Sequence, residues 1–281
     1  MRIISDCNFH LPVTPDGVDL QTPEHKALLD HAIDVEFNIC KHDVEATLAA
    51  AVQRANALGL ANANFMILDS DFAKRLDEFG ANLKLQDGHY ITVLIDPLDS
   101  NAEQHIASAK KYGISGIKFH PYLQKITREQ YTRVQALAVI AAQCGMWVAV
   151  DCSYGTDRLY DINGVELCAF VLKNGFSGRL LALHFGGPKV LDVMSLMAQH
   201  QNIYADLSLS LSYWKGSSVW QDLHFSMMRV GYGRFIFGSD QPFIEFQQAL
   251  ADLDIFAAEY GLSTHQLTAI LHDNFNSFLG K

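Results

Sequence analysis

The fold is indicated most clearly by one stretch near the carboxyl end of the chain, Phe235-Ile236-Phe237-Gly238-Ser239-Asp240-Gln241-Pro242. A short apolar run ends there in a carboxylate and a turn. The same change occurs earlier, where Asp6 and His10 follow Ile3-Ile4 and where His184 follows Leu180–Leu183. A buried strand that ends in this way points a metal ligand or a proton carrier into a pocket. Several strands that do so share one pocket, which is typical of a (βα)8 barrel, whose catalytic groups come from the carboxyl ends of different strands.

The rest of the chain alternates between short apolar runs and segments of helical period. The predicted strands are Arg2–Asp6, Ala63–Leu68, Tyr90–Ile95, Gly116–His120, Trp147–Asp151, Leu180–His184, Ile203–Asp206 and Arg234–Gly238. The predicted helices are Val44–Leu58, Ala102–Tyr112, Arg128–Cys144, Val165–Lys173, Pro188–Gln199, Val219–Val230, Phe243–Tyr260 and a closing Ser263–Leu279. Strands that are apolar on both faces and alternate with helices predict a closed parallel barrel.

We therefore predict one α/β domain over residues 1–281, a (βα)8 TIM barrel with a C-terminal helix. An open doubly wound sheet is the alternative, but neither GxGxxG nor GxxxxGKS occurs in the sequence. The segment from Leu11 to His42 precedes the first clear helix, and we predict an extended loop there at the mouth of the site, since it is too long for a plain connector.

Composition narrows the classes of partner. The chain of 281 residues is 49% apolar, enough for a sizeable core, and has a formal charge of −10 from 21 Lys and Arg against 31 Asp and Glu. That charge argues against nucleic acid or an anionic membrane as a partner. The five cysteines are scattered without a CxxC pair, which is typical of reduced thiols. No apolar run approaches the roughly 18 residues of a spanning helix, so we expect a soluble cytoplasmic protein that acts on a small molecule.

Polar residues at the strand ends are the candidates for chemistry. Asp6, Asn8 and His10 alternate along an extended strand and can therefore face one site. Lys118 and His120 follow the fourth strand in the same way. The alternative for each is structural, because such residues also cap strand ends or form ordinary hydrogen bonds.

The fifth to eighth strands end similarly, at Asp151, His184, Asp206 and Asp240. Asp151 can be explained as the cap of the following helix. The glycines after His184 let backbone approach a bound group closely. Asp240 lies between Ser239 and Gln241-Pro242 at the end of a strand. A carboxylate at this position is not explained by a contribution to solubility, so a functional role is favoured.

These landmarks, taken in their order and spacing, resemble the amidohydrolase superfamily. The closest resemblance is to its amidohydrolase-related branch of metal-dependent TIM-barrel hydrolases and decarboxylases. The resemblance covers nearly the full length and rests on Asp6–His10, Gly116–Pro121, His184–Gly187, Tyr204–Ser208, Phe237–Pro242 and the terminal Asp273–Leu279.

The resemblance implies one divalent metal held by a His-x-His pair after strand one, a His after strand five, often a His after strand six, and an Asp after strand eight. His10, His184 and Asp240 match this pattern, whereas Asn8 and Asp151 stand where the family has histidines. The oxygen donors would favour Mn2+, while Zn2+ stays an option with the two histidines. In this first hypothesis the metal lowers the pKa of a bound water, Asp240 carries the proton, and His184 polarises the substrate carbonyl or completes the coordination.

Two further hypotheses remain open at this point. The resemblance also allows hydrolysis without metal, in which Asp240 activates water while His10, His184, His120 and Lys118 stabilise the oxyanion. The third hypothesis is a barrel that binds a ligand without turning it over.

The substrate class is inferred from cations and aromatic residues near the predicted strand-end loops. Lys118 and Arg158 suit a carboxylate through charge-assisted hydrogen bonds. His120 and Trp214 are further substrate-binding candidates, Trp214 by stacking on a ring. Hydrolysis of a small carboxylate-bearing lactone or amide is the predicted activity, and decarboxylation of an acid is the alternative. Members of the family often form dimers, so a homodimer is an option for this chain.

Overall fold

The computed structural model describes residues 2–11, 22–153 and 162–281 of the chain. Eight strands form one sheet in sequence order, and each pairs in parallel with the next. They are β1 (Ile4–His10), β2 (Leu60–Ile67), β3 (His89–Leu94), β4 (Gly116–Phe119), β5 (Trp147–Asp151), β6 (Leu180–Leu183), β7 (Ile203–Asp206) and β8 (Phe235–Ile236). The prediction of a (βα)8 barrel is confirmed.

Backbone hydrogen bonds close the barrel between its first and last strands. The Cys7 amide donates to the Phe237 carbonyl at 3.1 Å, and the His10 amide donates to the Gln241 carbonyl at 2.8 Å. The Asp240 amide donates in return to the Asn8 carbonyl at 2.9 Å. These bonds bring the polar ends of β1 and β8 side by side.

Helices alternate with the strands along the described chain. They are α1 (Pro23–Phe37), α2 (Val44–Ala57), α3 (Leu76–Phe79), α4 (Ala102–Lys111), α5 (Pro121–Gln124), α6 (Tyr131–Gln143), α7 (Gly164–Lys173), α8 (Val190–Gln199), α9 (Ser210–Tyr213), α10 (Ser218–Val230), α11 (Phe246–Glu259), α12 (Thr264–Thr268) and α13 (Asn274–Leu279). A π-helical turn, Ala269–Asp273, joins the last two. No described helix is both long and apolar enough to cross a membrane.

The longer helices form where the sequence provides a cap and an apolar face. Asp43 caps α2 by accepting a hydrogen bond from the Ala46 amide at 2.9 Å, and α2 buries Leu48 and Val52 against the core. The strands are buried on both faces, as a parallel sheet covered by helices requires; in β5 every residue is buried.

Two elements differ from the sequence prediction. The expectation of an extended loop from Leu11 to His42 is wrong for the described part, because α1 occupies Pro23–Phe37. Its apolar pattern is weak because its buried side includes an acid, Glu36, whose partner lies on another element. In addition, β1 runs to His10 rather than ending at Asp6, since its polar residues pair with β2 and face the interior.

Candidate active site

A cavity of about 300 Å³ opens at the carboxyl ends of the strands. Its ionisable lining comes from the ends of β1, β4, β5, β6 and β8, and its apolar walls come from the loops and helices that follow them. The polar residues are His10, Lys118, His120, Asp151, Ser153, His184 and Asp240, and the others are Phe37, Leu68, Tyr122, Leu123, Leu209 and Phe243. Catalytic groups at this end of the strands are what the TIM-barrel fold provides.

One carboxylate oxygen gathers the nitrogens on one side of this cavity. The Oδ2 of Asp151 lies 3.3 Å from His120 Nε2, 3.4 Å from Lys118 Nζ and 3.4 Å from His184 Nε2. Its Oδ1 accepts hydrogen bonds from the Ser153 amide at 3.0 Å and hydroxyl at 2.6 Å. Burial by itself would raise the pKa of Asp151, but the neighbouring histidines and Lys118 hold it well below the usual range. Asp151 is therefore an anion that orients three N–H donors.

A second cluster joins β1, α1 and β8. His10 Nδ1 is hydrogen bonded to Oε1 of Glu36, and His10 Nε2 lies 3.4 Å from Oδ1 of Asp240. Burial lowers the pKa of His10, but the carboxylates of Glu36 and Asp240 outweigh it and raise that pKa to about 9. His10 is thus a buried cation at neutral pH that lies between Glu36 and Asp240. Burial raises the pKa of Glu36, although His10 lowers it.

The other two histidines of the site are pushed in opposite directions. Burial lowers the pKa of His184, yet Asp240 and Asp151 together raise it to about 9. Burial lowers the pKa of His120 to about 3, because the nearby cations offset the attraction of Asp151. The Leu123 amide donates to His120 Nδ1 at 3.5 Å, so neutral His120 carries its proton on Nε2, facing Asp151.

A hydrogen-bond network behind the cavity fixes its floor. The side-chain amide nitrogen of Asn8, Nδ2, donates to three oxygens. They are Asp206 Oδ2 at 3.1 Å, Ser208 Oγ at 2.9 Å and Asp240 Oδ1 at 3.3 Å. Ser208 Oγ is also 3.0 Å from His184 Nδ1, and the His184 amide donates to Asp206 Oδ2 at 3.2 Å. The network links the ends of β1, β6, β7 and β8, and so fixes the direction of His184 and Asp240.

The backbone is strained at two of these positions. His184 has φ 58° and Asp240 has φ 62°, in the left-handed region that favours glycine. The Asp240 amide hydrogen bond to Asn8 helps to hold that conformation. Non-glycine residues in this region persist where the surrounding structure over-determines them, and they cluster at functional sites.

The structure brings together most of the residues predicted from the sequence. Six of them line one cavity: His10, Lys118, His120, Asp151, His184 and Asp240. Asn8 lies just behind it, whereas Trp214 packs against the hydrophobic core and is not among the residues that line the cavity. Arg158 lies outside the described residues. The substrate-binding roles stay predictions.

Three residues of the site were missed as functional candidates. Glu36 comes from α1, in a segment predicted to be a loop, and Ser208 comes from the turn after β7. Asp206 was noted only as a strand end. A signal existed for it, since Asp206 and Ser208 alternate after a strand as Asn8 and His10 do. No comparable pattern identifies Glu36.

The side chains as placed do not fit a divalent metal. Within residues 2–11, 22–153 and 162–281, no group of three or more His, Cys, Asp or Glu side chains is arranged to hold a metal ion. Asn8 turns its amide nitrogen, a hydrogen-bond donor, toward Asp206 and Asp240. Asp151 is surrounded by Lys118 and two imidazoles. Metal ligands must be free to donate a lone pair, and a cation near Asp151 would meet the ammonium group of Lys118.

The closed parallel barrel and the ionisable groups at its strand ends define a TIM-barrel protein with an enzyme-like site. Residues 87–280 match the family model described as Amidohydrolase. Because the match covers well over half of the chain, the protein belongs to the amidohydrolase family. No relative was found among curated proteins.

Several solved structures share the fold over nearly the full length. A probable 2-pyrone-4,6-dicarboxylic acid hydrolase from Acinetobacter baumannii, with citric acid bound, is 15% identical, with a TM-score of 0.64 and 99% of each chain covered. An amidohydrolase from Burkholderia multivorans with bound zinc is 14% identical, with a TM-score of 0.60 and 99% of each chain covered. A 2,6-dihydroxybenzoate decarboxylase from Rhizobium is 12% identical, with a TM-score of 0.58, covering 100% of this chain and 99% of that one. At these identities the likeness establishes the fold alone.

Proposed function

We propose that this protein hydrolyses a small carboxylate-bearing ester, in particular a lactone, or a related amide. One observation carries the proposal: a buried carboxylate, Asp240, shares a cavity of about 300 Å³ with the N–H donors of Lys118, His120 and His184. Hydrolysis needs a base for water and donors for the oxyanion that develops on the carbonyl. A cavity of this volume lies at the lower end of the range for small-molecule sites.

The reaction can be written with the groups in the cavity. Asp240 takes a proton from water as the water oxygen bonds to the carbonyl carbon. The negative charge that forms on the carbonyl oxygen is stabilised by an N–H group of the Lys118 ammonium and by the positive charge of His184, both close to Asp151. As the carbon–oxygen bond of the leaving group breaks, Asp240 returns its proton to the leaving oxygen. A lactone and water thus give a hydroxy acid, and the product carboxylate faces the same cations.

No step of this scheme passes through a metal, because the donors as placed do not fit one. The family includes a zinc-bound member, so the metal content of this chain is a separate measurement. Elemental analysis of untagged protein, purified without chelator, would give the number of Zn and Mn equivalents. We expect well under one equivalent and unchanged turnover after treatment with a chelator.

The test is a substrate panel with a matched pair of variants. The panel contains 2-pyrone-4,6-dicarboxylate, simple γ-lactones and N-acyl amino acids, with 2,6-dihydroxybenzoate as the probe for decarboxylation. Asp240→Asn should lower kcat about a hundredfold or more on any member that is hydrolysed while leaving ligand affinity nearly unchanged. The control Asp192→Asn changes an exposed acid on α8 and should leave kcat within about twofold.

Three outcomes would contradict the proposal. Release of CO2 from the benzoate without hydrolysis of any ester or amide would identify a decarboxylase. Binding of panel members without turnover would identify a ligand-binding barrel. Hydrolysis that is unaffected by Asp240→Asn would move the reaction to another site.

A further inference from the structure

A second cavity, of about 390 Å³, adjoins the active site. Three apolar side chains, those of Phe37, Leu68 and Leu123, line both cavities. The other residues of the second cavity are Ser70, Leu94, Asp96, Leu98 and Gln124. The two cavities are therefore neighbours, and the surface that they share is apolar.

The two cavities differ in chemistry. The active site contains the histidines, the lysine and the carboxylates described above, whereas five of the eight residues that line the second cavity are leucines or phenylalanine and the other three are Ser70, Asp96 and Gln124. Two of its polar side chains form hydrogen bonds within the protein: Asp96 accepts from the Leu98 amide at 2.9 Å, and Gln124 donates to the Ile95 carbonyl at 2.7 Å. Its five apolar side chains are the surface that an apolar ligand group would cover.

Part of this apolar surface is open to solvent. Leu98 is 68% exposed and Leu123 is 37% exposed, while Leu94 is buried in the wall. Covering exposed leucine surface with an apolar ligand group is favourable by about 25 cal/mol per Å². Because the two cavities share Phe37, Leu68 and Leu123, a ligand that extends from the active site over these side chains would cover the leucines of the second cavity.

We propose that the second cavity binds an apolar arm of the substrate, an alkyl or aryl chain attached to the hydrolysed group. This inference rests on the proposed function and names the substrate class more closely. The substrate has a polar head, a lactone or a carboxylate-bearing ester or amide, and an apolar chain that passes Phe37 and Leu123.

The first test measures kcat/KM on γ-lactones with side chains of increasing length: γ-butyrolactone, γ-hexalactone, γ-octalactone and γ-decalactone. Each methylene that enters the second cavity should raise kcat/KM by up to about fourfold. Leu98→Asp places a charge in that cavity at an exposed position. It should leave γ-butyrolactone unchanged and lower the value for γ-decalactone at least tenfold.

The control is Leu191→Asp, at a residue on α8 that is 40% exposed and lines neither cavity. It should change no member of the lactone series. A flat dependence on side-chain length, or equal effects of the two variants on γ-decalactone, would overturn the inference while leaving the proposed hydrolysis intact.

A binding measurement separates the inference from the proposed function. Titration calorimetry with hexanoate, octanoate and decanoate reports the affinity of a carboxylate head with a growing arm and needs no turnover. If no lactone is hydrolysed but affinity rises with length and falls in Leu98→Asp, the apolar arm site stands and the proposed hydrolysis is wrong. If affinity is independent of length, the inference is wrong.

Discussion

Replacing Glu36 with Gln tests a buried contact that no sequence pattern indicated. Glu36 is 1% exposed, and its Oε1 is hydrogen bonded to Nδ1 of His10. The variant keeps the size of the side chain and an oxygen that accepts this hydrogen bond, but it removes the negative charge. Any effect therefore reports the charge rather than a cavity or a lost packing contact.

The magnitude follows from the pKa of His10. That pKa is raised from 6.5 to about 9 in the fold, a difference worth about 3 kcal/mol at roughly 1.4 kcal/mol per pH unit. Burial opposes the charged imidazole, and Glu36 is the larger of the two carboxylate contributions that favour it, ahead of Asp240. In Glu36→Gln we expect the pKa of His10 to fall by at least one pH unit.

The sign of the effect on stability is fixed by the direction of the shift. Since the folded-state pKa of His10 lies above its unfolded value, its contribution is complete below pH 6.5 and is lost as the pH rises through about 9. Burial raises the pKa of Glu36 as well, although His10 lowers it, so removing the charge of Glu36 also removes a cost of burial. The ion pair is therefore tested by the pH dependence of stability. Between pH 6.5 and about 9 the free energy of unfolding of wild type should fall by about 3 kcal/mol at most, and that of Glu36→Gln should fall by at least about 1 kcal/mol less.

The assays are urea unfolding across pH and two-dimensional NMR of the histidine ring nitrogens, with His10 assigned from a His10→Asn sample. The control is Glu103→Gln, which removes an exposed ion pair of 2.7 Å with Arg133. That change should alter the free energy of unfolding by no more than about 0.5 kcal/mol at any pH. An unchanged pKa of His10 in Glu36→Gln, or a fall in stability between pH 6.5 and 9 as large as that of wild type, would refute the reasoning.

Three other changes probe buried positions at or behind the site. Burial raises the pKa of Asp6 from 3.8 to about 7, so the free energy of unfolding of wild type should fall between pH 4 and pH 7 by about 4 kcal/mol at most. Urea unfolding of Asp6→Asn should show a free energy of unfolding that depends less on pH over this range, and an equally steep dependence would contradict this. In Gly238→Ala the new Cβ would lie 2.4 Å from Oδ1 of Asp206, so calorimetry should show a free energy of unfolding lower by about 1–3 kcal/mol. An unchanged Tm would show that Asp206 and its neighbours can move to make room for the methyl group. Asp151→His removes the anion beside Lys118 and restores a nitrogen ligand, so zinc affinity measured by titration with a competing chelator should rise; if it stays flat or falls, Asp151 does not occupy the ligand position inferred from the family.

The barrel could be predicted from the sequence because its signal is local and repeated. Each strand is a short run that is apolar on both faces, and the change to polar residues marks the end that faces the site. The bounds were less certain where polar residues continue a strand. The predicted first strand ended at Asp6, although β1 continues through Asn8 to His10, because the partners of these polar residues lie on β2 and near β8 at the far end of the sequence.

The members of the site could be predicted from the sequence, but their pairing could not. Asp151 and His184 were both predicted as polar residues at strand ends. The residues next to them in the sequence do not show that Nε2 of His184 lies 3.4 Å from Oδ2 of Asp151. Glu36 is the extreme case. It lies on the buried side of α1, and an acid at that position interrupts the apolar pattern by which the helix would be recognised. A buried charge is recognisable only with its partner, and the partner is fixed by the fold.

The pairings concern two positions, Asn8 and Asp151, at which the resemblance to the family implies histidines. At the first, Asn8 supplies a side-chain N–H group that faces Asp206 and Asp240. At the second, Asp151 is an anion that lies close to the ammonium group of Lys118 and to His184, an imidazole of raised pKa. The positive charge that a bound metal would supply beside a substrate carbonyl is thus present on protein side chains. Among the described residues, the charges of Asp151, Lys118 and His184 therefore face one another at the site.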